Sequence, residues 1–336
     1  MRCSASRNSR RKGRNRVRAA PLFPMITHTT FSVAAAEAGL RLDALLLARC
    51  PSSSRAFCRQ AVETDRVRVN GRACLKGAKL RAGDTVEILA LKEACDNRVR
   101  PDASVPVRIV FEDAHLLAVN KPAGLPVHPL TCEEGGTLMN GLVARYPELA
   151  ALGDQPLMAG ALHRIDTGTS GLVLAARTPE AFAGLRAQFE AQSVDKVYLA
   201  LVEGHVGIPG RLEHELAHHP AWPCCKMVDA RSLAAPDRRL RAETAYRPLR
   251  LIGRYTLLEV TIRTGVTHQI RCQLALGGWP VANDTLYGAR AVEGCPRHFL
   301  HAYEARFTHP VFGQPCRLQA PLTPDFEAFL AAQERA

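Results

Sequence analysis

Hydrophobic positions first become regular near Phe31. Leu40, Leu42, Leu45, Leu46 and Leu47 mark an apolar face at helical spacing; Phe57, Ala61 and Val62 mark a second, with Ser52 to Ser54 able to cap it. The period then shortens to two: Val67-Arg68-Val69 closes on Asn70-Gly71, a hairpin signal, and Thr85-Val86-Glu87-Ile88 follows the Gly83-Asp84 turn. Two helices on a small hairpin sheet make a unit of about sixty residues, at the small end for independent folding. The pattern lapses over 93–106, where Asp96-Asn97-Arg98, Pro101 and Pro106 read as a linker. Two strand-like runs follow at 107–111 and 116–119, then a buried strand at Leu172 to Ala176. Thr178-Pro179 opens a helix with Phe182, Leu185 and Phe189 on one face. Lys196 to Gly204 is apolar on both faces, hence a buried strand, and 205–250 reads as a polar loop and hairpin. Tyr255 to Ile262 predicts another strand, and a helix begins near Thr267, pairs Ile270 with Leu274 and stops at Gly277 or Gly278.

Charge sharpens this division. The chain of 336 residues carries a net +12, of which residues 1–20 hold +8 and residues 30–92 hold +5, leaving 93–336 at −1. A basic front end on a nearly neutral body suggests a polyanion anchor attached to something else. Residues 1–28 read as a basic disordered tail, with three competing readings: an RNA-grasping arm, an organelle transit peptide, or an extension upstream of a start at Met25. The last two are favoured over the first. The eleven cysteines include no Cys-x-x-Cys pair, and His218, His219, Cys224 and Cys225 fit no usual zinc spacing, so neither a disulfide framework nor a metal site is expected. No run of eighteen apolar residues occurs, so a cytoplasmic protein is expected, with organelle import of the Arg-rich N-terminus left open.

The densest chemistry lies at His163-Arg164-Ile165-Asp166-Thr167-Gly168-Thr169-Ser170-Gly171. By residue type alone Asp166 is a turn cap in a Gly/Thr-rich loop or an active-site acid on the edge of a buried strand. Lys121, in Asn120-Lys-Pro-Ala-Gly124, is a phosphate contact or a surface lysine, and Tyr198 is by spacing a core residue. Arg271, at a helix start, needs a carboxylate or phosphate partner. The nine residues around Asp166 resemble the motif of the RluA-type pseudouridine synthases, His-Arg-Leu/Ile-Asp-x-x-Thr-Ser-Gly. The resemblance extends through Asn120-Lys-Pro-x-Gly, Lys196-x-Tyr-x-Ala, Gly265-x-Thr-His-Gln-Ile-Arg271 and Leu300-His-Ala, and covers about residues 38–326. The front unit, with Arg41-Leu-Asp43, Ser54-Arg55, Val67-x-Val-Asn-Gly71 and Leu80-x-x-Gly-Asp84, resembles an S4-type RNA-binding domain.

That resemblance implies an α+β fold: an S4-type domain at 29–92, the linker at 93–106, and a catalytic domain at 107–330 with a mixed, largely antiparallel central sheet. It implies an isomerase that flips a uridine out of RNA and needs no cofactor and no metal. Asp166 would be the catalytic carboxylate, Arg271 its partner and Tyr198 the residue over the target base. His163, Arg164, Thr169, Lys121, Arg55, Arg59 and Lys79 would be RNA contacts, with Arg66 beside them. His301 reads as structural. Large-subunit (23S) ribosomal RNA is the favoured substrate; transfer RNA, or a non-catalytic ribosome-associated RNA-binding protein, are the alternatives. No obligate protein partner is implied, and a monomer is expected. Four residues depart from the family pattern: Val266 for Arg, Gln273 for His, Trp279 for His and Asn283 for Gly.

Overall fold

The structure, a computed structural model, describes residues 25–75, 77–93, 98–236 and 238–335, with the backbone alone at 223–225. The expected tail before Met25 and the Cys224-Cys225 side chains lie outside what is described. The chain divides into two compact units, residues 1–97 and 98–336.

In the first unit β1 (Met25–Ser32), β2 (Val67–Val69), β3 (Arg72–Ala73) and β4 (Thr85–Lys92) pair in the order β1-β4-β2-β3. Helices α1 (Leu42–Arg49) and α2 (Arg55–Glu63) cover the sheet. Leu42, Leu45, Leu46, Cys58, Ala61 and Val62 meet Val67, Val86, Ile88 and Leu91 in one core, so the two helical faces and the alternate strand positions are what the fold buries. Ser54 caps α2 by accepting from the Phe57 amide at 3.2 Å. Asn70 and Gly71 have φ of 52° and 74°, the paired positive values of a hairpin turn that follows the strand twist. β1 is the difference here. It begins at Met25, inside the stretch expected to be tail, and its mostly exposed residues give no alternation to read.

The second unit holds β5 (Ile109–Glu112), β6 (Leu116–Lys121), α3 (Leu138–Arg145), β7 (Ser170–Ala176), α4 (Pro179–Glu190), β8 (Asp195–Glu203), β9 (Gly210–His219), β10 (Trp222–Asp229), β11 (Leu240–Ile252), β12 (Tyr255–Ile262), α5 (Gln269–Leu276), β13 (Leu300–Thr308), β14 (Pro315–Gln319) and α6 (Pro324–Arg335). Among the described residues its sheet has ten strands, in the order β10-β9-β11-β12-β8-β13-β7-β6-β5 with β14 against β13. Among the described strands only β13 and β7 pair parallel, so the α+β, largely antiparallel fold is as expected. β8 is buried on both faces because each face has its own cover. Tyr198, Ala200 and Val202 join the core under α3, α4 and α5, while Leu199 and Leu201 join Phe299, Phe326 and Leu330 under α6.

Three expectations change. The 205–250 stretch is strand for most of its length, with β9, β10 and β11 paired antiparallel; their outer faces are polar, which hid the strand period. The linker expected at 93–106 is docked from residue 98 onward: Val99 and Val105 are buried, and Asn140 donates to the Arg100 carbonyl at 2.7 Å. Residues 94–97 lie outside the described set. Helix α5 starts at Gln269, two residues later than expected, because His268 at its N-cap is left-handed, with φ 52°.

Candidate active site

The Asp166 loop enters the sheet where β7 meets β13. His301 pairs with Ser170 and Ala302 with Gly171 across this parallel contact. Gly171 has φ 112°, and a Cβ there would lie 2.2 Å from the Ala302 carbonyl oxygen, so only glycine lets the strands approach. The loop is pinned from below. Lys121 at the end of β6 is fully buried and donates to the carbonyls of Pro122, Leu125 and Thr167 at 3.0, 2.7 and 3.2 Å. The Gly124 amide donates to the same Thr167 carbonyl at 2.8 Å. Burial pushes the Lys121 ammonium down to about 7. Its three protons are spent on backbone carbonyls, which corrects the expected phosphate contact: Lys121 holds the Asp166 loop in place.

Asp166 faces a cavity of about 490 Å³ whose lining includes Arg164, Tyr198, Val266, His268 and Arg271. Arg271 Nη1 donates to Asp166 Oδ2 at 2.9 Å. Arg271 also grips Asp284 through two bonds, Nε to Oδ2 at 2.6 Å and Nη2 to Oδ1 at 2.9 Å. A guanidinium bonded to two carboxylates keeps its charge and its orientation together. Burial works to raise the Asp166 pKa, but His268 and Arg271 outweigh it and hold the carboxyl below its usual range, so it is ionised at neutral pH. Tyr198, on β8, is 7% exposed and shares the cavity. Burial, with Asp166 adding to it, drives its phenol well above the ordinary value. The structure therefore brings Asp166, Tyr198 and Arg271 together from three separate elements.

The expected RNA contacts divide. Arg164 is exposed and lines the cavity, with no ion-pair partner among the described residues. Arg55, Arg59 and Lys79 are exposed on the first unit, likewise without ion-pair partners among the described residues. His163 and Thr169 also line the cavity, but their polar atoms are bonded within the protein. His163 Nε2 accepts from the Leu174 amide at 3.0 Å, its ring stacks on Phe189, and burial pushes its pKa down to about 3. Thr169 is 1% exposed and bonds His298 Nε2 at 2.9 Å. His301 is fully buried between the Ser170 hydroxyl at 2.8 Å and the Ala320 carbonyl at 3.1 Å, a place in the core.

Two of the four departures have local explanations. Asn283 has φ 63°, a conformation glycine takes freely and asparagine tolerates best among the others, and its side-chain amide donates to the carbonyls of Cys295 and Arg297 at 3.0 and 2.7 Å. Gln273 is fully buried; it accepts from the Thr244 hydroxyl at 2.6 Å and donates to the Leu212 and Ala242 carbonyls at 3.0 Å, clasping α5 to β9 and β11. Trp279 packs edge-on to Tyr246 at 5.7 Å, and Val266 packs on the small cluster of Leu216, Met227, Ala242 and Cys272.

Sequence reasoning assigned no role to Asp284, although it is the only charged residue between Arg271 and Arg290. An isolated acid in an apolar stretch after a buried Arg was a usable signal. It also missed Lys196, whose Nζ donates to the Arg263 and Thr264 carbonyls at 2.9 Å and so fixes the turn into α5.

The Asp166 loop thus enters the sheet at its parallel strand contact and sets an Arg–Asp pair in an open pocket. The family model for RNA pseudouridylate synthase matches residues 115–276, and the S4 domain model matches residues 40–86. The chain belongs to the RluA-type pseudouridine synthases and is an RNA-modifying isomerase. It is 36% identical to a ribosomal large subunit pseudouridine synthase D of Nitrosomonas europaea, over 88% of this chain and 85% of that one. A protein of the same name from Xanthomonas campestris pv. campestris is 33% identical over 88% of this chain and 89% of its own length. The fold is shared with human RNA pseudouridylate synthase domain containing 1, at a TM-score of 0.55 and 23% identity over 68% of this chain and 90% of that one. Among the described residues, no helix is long and apolar enough to cross a membrane.

Proposed function

We propose that Asp166 carries out the isomerisation of uridine to pseudouridine in large-subunit ribosomal RNA, on a nucleotide flipped out of its stack into the pocket. The 2.9 Å contact between Arg271 and the Asp166 carboxylate carries the reading, because it keeps the acid ionised and aimed into a pocket lined by Tyr198. The reaction moves the ribose from the uracil nitrogen to carbon-5 with nothing oxidised and nothing lost, so no cofactor is needed. An ionised carboxylate serves either route to bond cleavage, as nucleophile or as the base that forms a glycal. The base must leave the helix because its glycosidic bond is unreachable within a stack.

Tyr198 stacks on the uracil and takes the carbon-5 proton at the end. Its pKa is raised partly by the Asp166 charge. Once Asp166 is bonded or protonated that repulsion is gone, so the phenol becomes easier to ionise at the stage that needs it. Arg55, Arg59, Arg66 and Lys79 hold phosphates of the same RNA, and Arg164 meets it at the pocket mouth. The ribosomal substrate is supported by the names of the bacterial relatives, and a cytoplasmic location goes with that reading. All groups named belong to one chain, so a monomer suffices.

Purified protein incubated with unmodified large-subunit ribosomal RNA should give new pseudouridines, mapped by carbodiimide treatment and primer extension. Asp166→Ala should give none while binding RNA and melting as the wild type does. Pseudouridine formed at an undiminished rate by the variant would remove Asp166 from the mechanism; activity on transfer RNA alone would replace the substrate and leave the chemistry standing.

A further inference from the structure

His268 stands beside Asp166 and has no part in the reaction as described so far. Its backbone is left-handed, with φ 52°, at the N-cap of α5. For a residue other than glycine such a conformation is strained and persists where the surroundings enforce it, often at functional sites. The ring is held as firmly. Nδ1 lies 3.1 Å from the Tyr287 hydroxyl, and that hydroxyl accepts from the Met227 amide at 2.9 Å. The phenolic hydrogen has no other acceptor among the described residues; assigning it to Nδ1 puts the hydrogen of the neutral imidazole at Nε2.

That hydrogen is unspent. Nε2 lies 3.8 Å from Asp166 Oδ2, beyond hydrogen-bond range, with no nearer partner among the described residues. Arg271, by contrast, already gives three of its N–H groups to Asp166 and Asp284. His268 also lines both cavities that flank Asp166, one with Tyr198 and the other with Asp284 and His298. A strained backbone, a locked tautomer and a free N–H facing the reacting carboxylate occur together at one residue.

We infer that His268 is a further catalytic residue, which donates its Nε2 hydrogen to a carbonyl oxygen of the target uracil as the bond to the ribose breaks. Cleavage leaves the bonding electron pair on the base, where it is shared between the nitrogen and the carbonyl oxygens. A donor fixed in place before the reaction stabilises that charge without reorganising. The donor also keeps hold of the freed base while it turns. The inference rests on the assignment of the pseudouridine reaction to the Asp166 pocket.

Two substitutions in the full-length protein separate the donor from its support. His268→Asn suits the left-handed backbone and can still meet Tyr287, but has nothing at the Nε2 position. His268→Gln places an amide N–H near that position. Single-turnover rates on the RNA that the wild type modifies should fall about 100-fold in the Asn variant and no more than about tenfold in the Gln variant, with RNA affinity and melting temperature unchanged. RNA carrying 2-thiouridine or 4-thiouridine at the target supplies a second reading, since sulfur accepts hydrogen bonds poorly. One of the two should slow the wild type by about tenfold and leave the Asn variant no slower than it is with uridine. An Asn variant within about threefold of the wild type, or equal thio effects in both proteins, would overturn the inference. A wild-type protein that forms no pseudouridine would instead overturn the assignment beneath it.

Discussion

Arg271 owes its fixed position to Asp284 more than to Asp166. Asp284 takes two of its bonds and is the more buried of the two acids, with 2% of its side chain exposed against 21% for Asp166. Breaking one arm of a buried ion pair leaves charge without compensation and costs about 3–5 kcal/mol. Asp284→Asn should therefore lower stability by about 3 kcal/mol, the lower end because Asp166 remains, and should slow turnover as the guanidinium loosens. Denaturant unfolding and single-turnover kinetics check both; a variant as stable as the wild type would show that Arg271 is held by something else. Lys121 gives the complementary lesson. A lysine at a strand end is most often a surface charge, and only the carbonyls that converge on it, from Pro122, Leu125 and Thr167, show it to be a buried brace for the Asp166 loop.

The contact between β7 and β13 joins the Asp166 loop to the C-terminal half of the chain, and His301 is its polar link. Burial pushes the His301 imidazole down to about 4 from 6.5. Between these values the unfolded chain binds the proton and the fold does not, so His301 costs nothing at high pH and the fold loses stability as pH drops through the window. From pH 7 to pH 5 this one residue should remove about 2 kcal/mol. His301→Gln can still serve the Ser170 hydroxyl and the Ala320 carbonyl but does not titrate. Its unfolding free energy should fall less steeply with acid, by about that amount. Parallel acid profiles for the two proteins would mean that other groups carry the slope.

Across the whole molecule the charge distribution argues for separate duties. The basic excess lies in the first quarter of the chain, while the unit that holds Asp166 belongs to a nearly neutral stretch. Nonspecific attraction to RNA should then depend on the first unit. Each phosphate contact contributes roughly 0.7–0.9 to the slope of log K against log salt. Replacing Arg55, Arg59 and Lys79 together by Ala should weaken RNA binding and flatten that slope by about 2, with the single-turnover rate at saturating protein little changed. Binding measured from low to moderate salt tests this, and an unaltered slope would place the anchor elsewhere.

Much of the architecture was legible in the chain alone, for local reasons. The faces of α1, α2 and α4, the Asn70-Gly71 turn, the doubly apolar β8 and the apolar run into β7 are written in short-range periodicity, and the motifs around Asp166 and Arg271 identify the family. β9 to β11 were less legible, because polar outer faces blur a strand's period, and α3 and α6 were not read at all. Some facts depend on which surfaces meet after folding: that Asp284 completes the Arg271 clamp, that His163 and Thr169 bond within the protein, that Lys121 is buried. No local pattern encodes these, since the groups that satisfy each side chain come from distant parts of the sequence. Local propensity and motif therefore determined the elements and the chemistry, and long-range packing decided which polar groups face the substrate and which hold the pocket in shape.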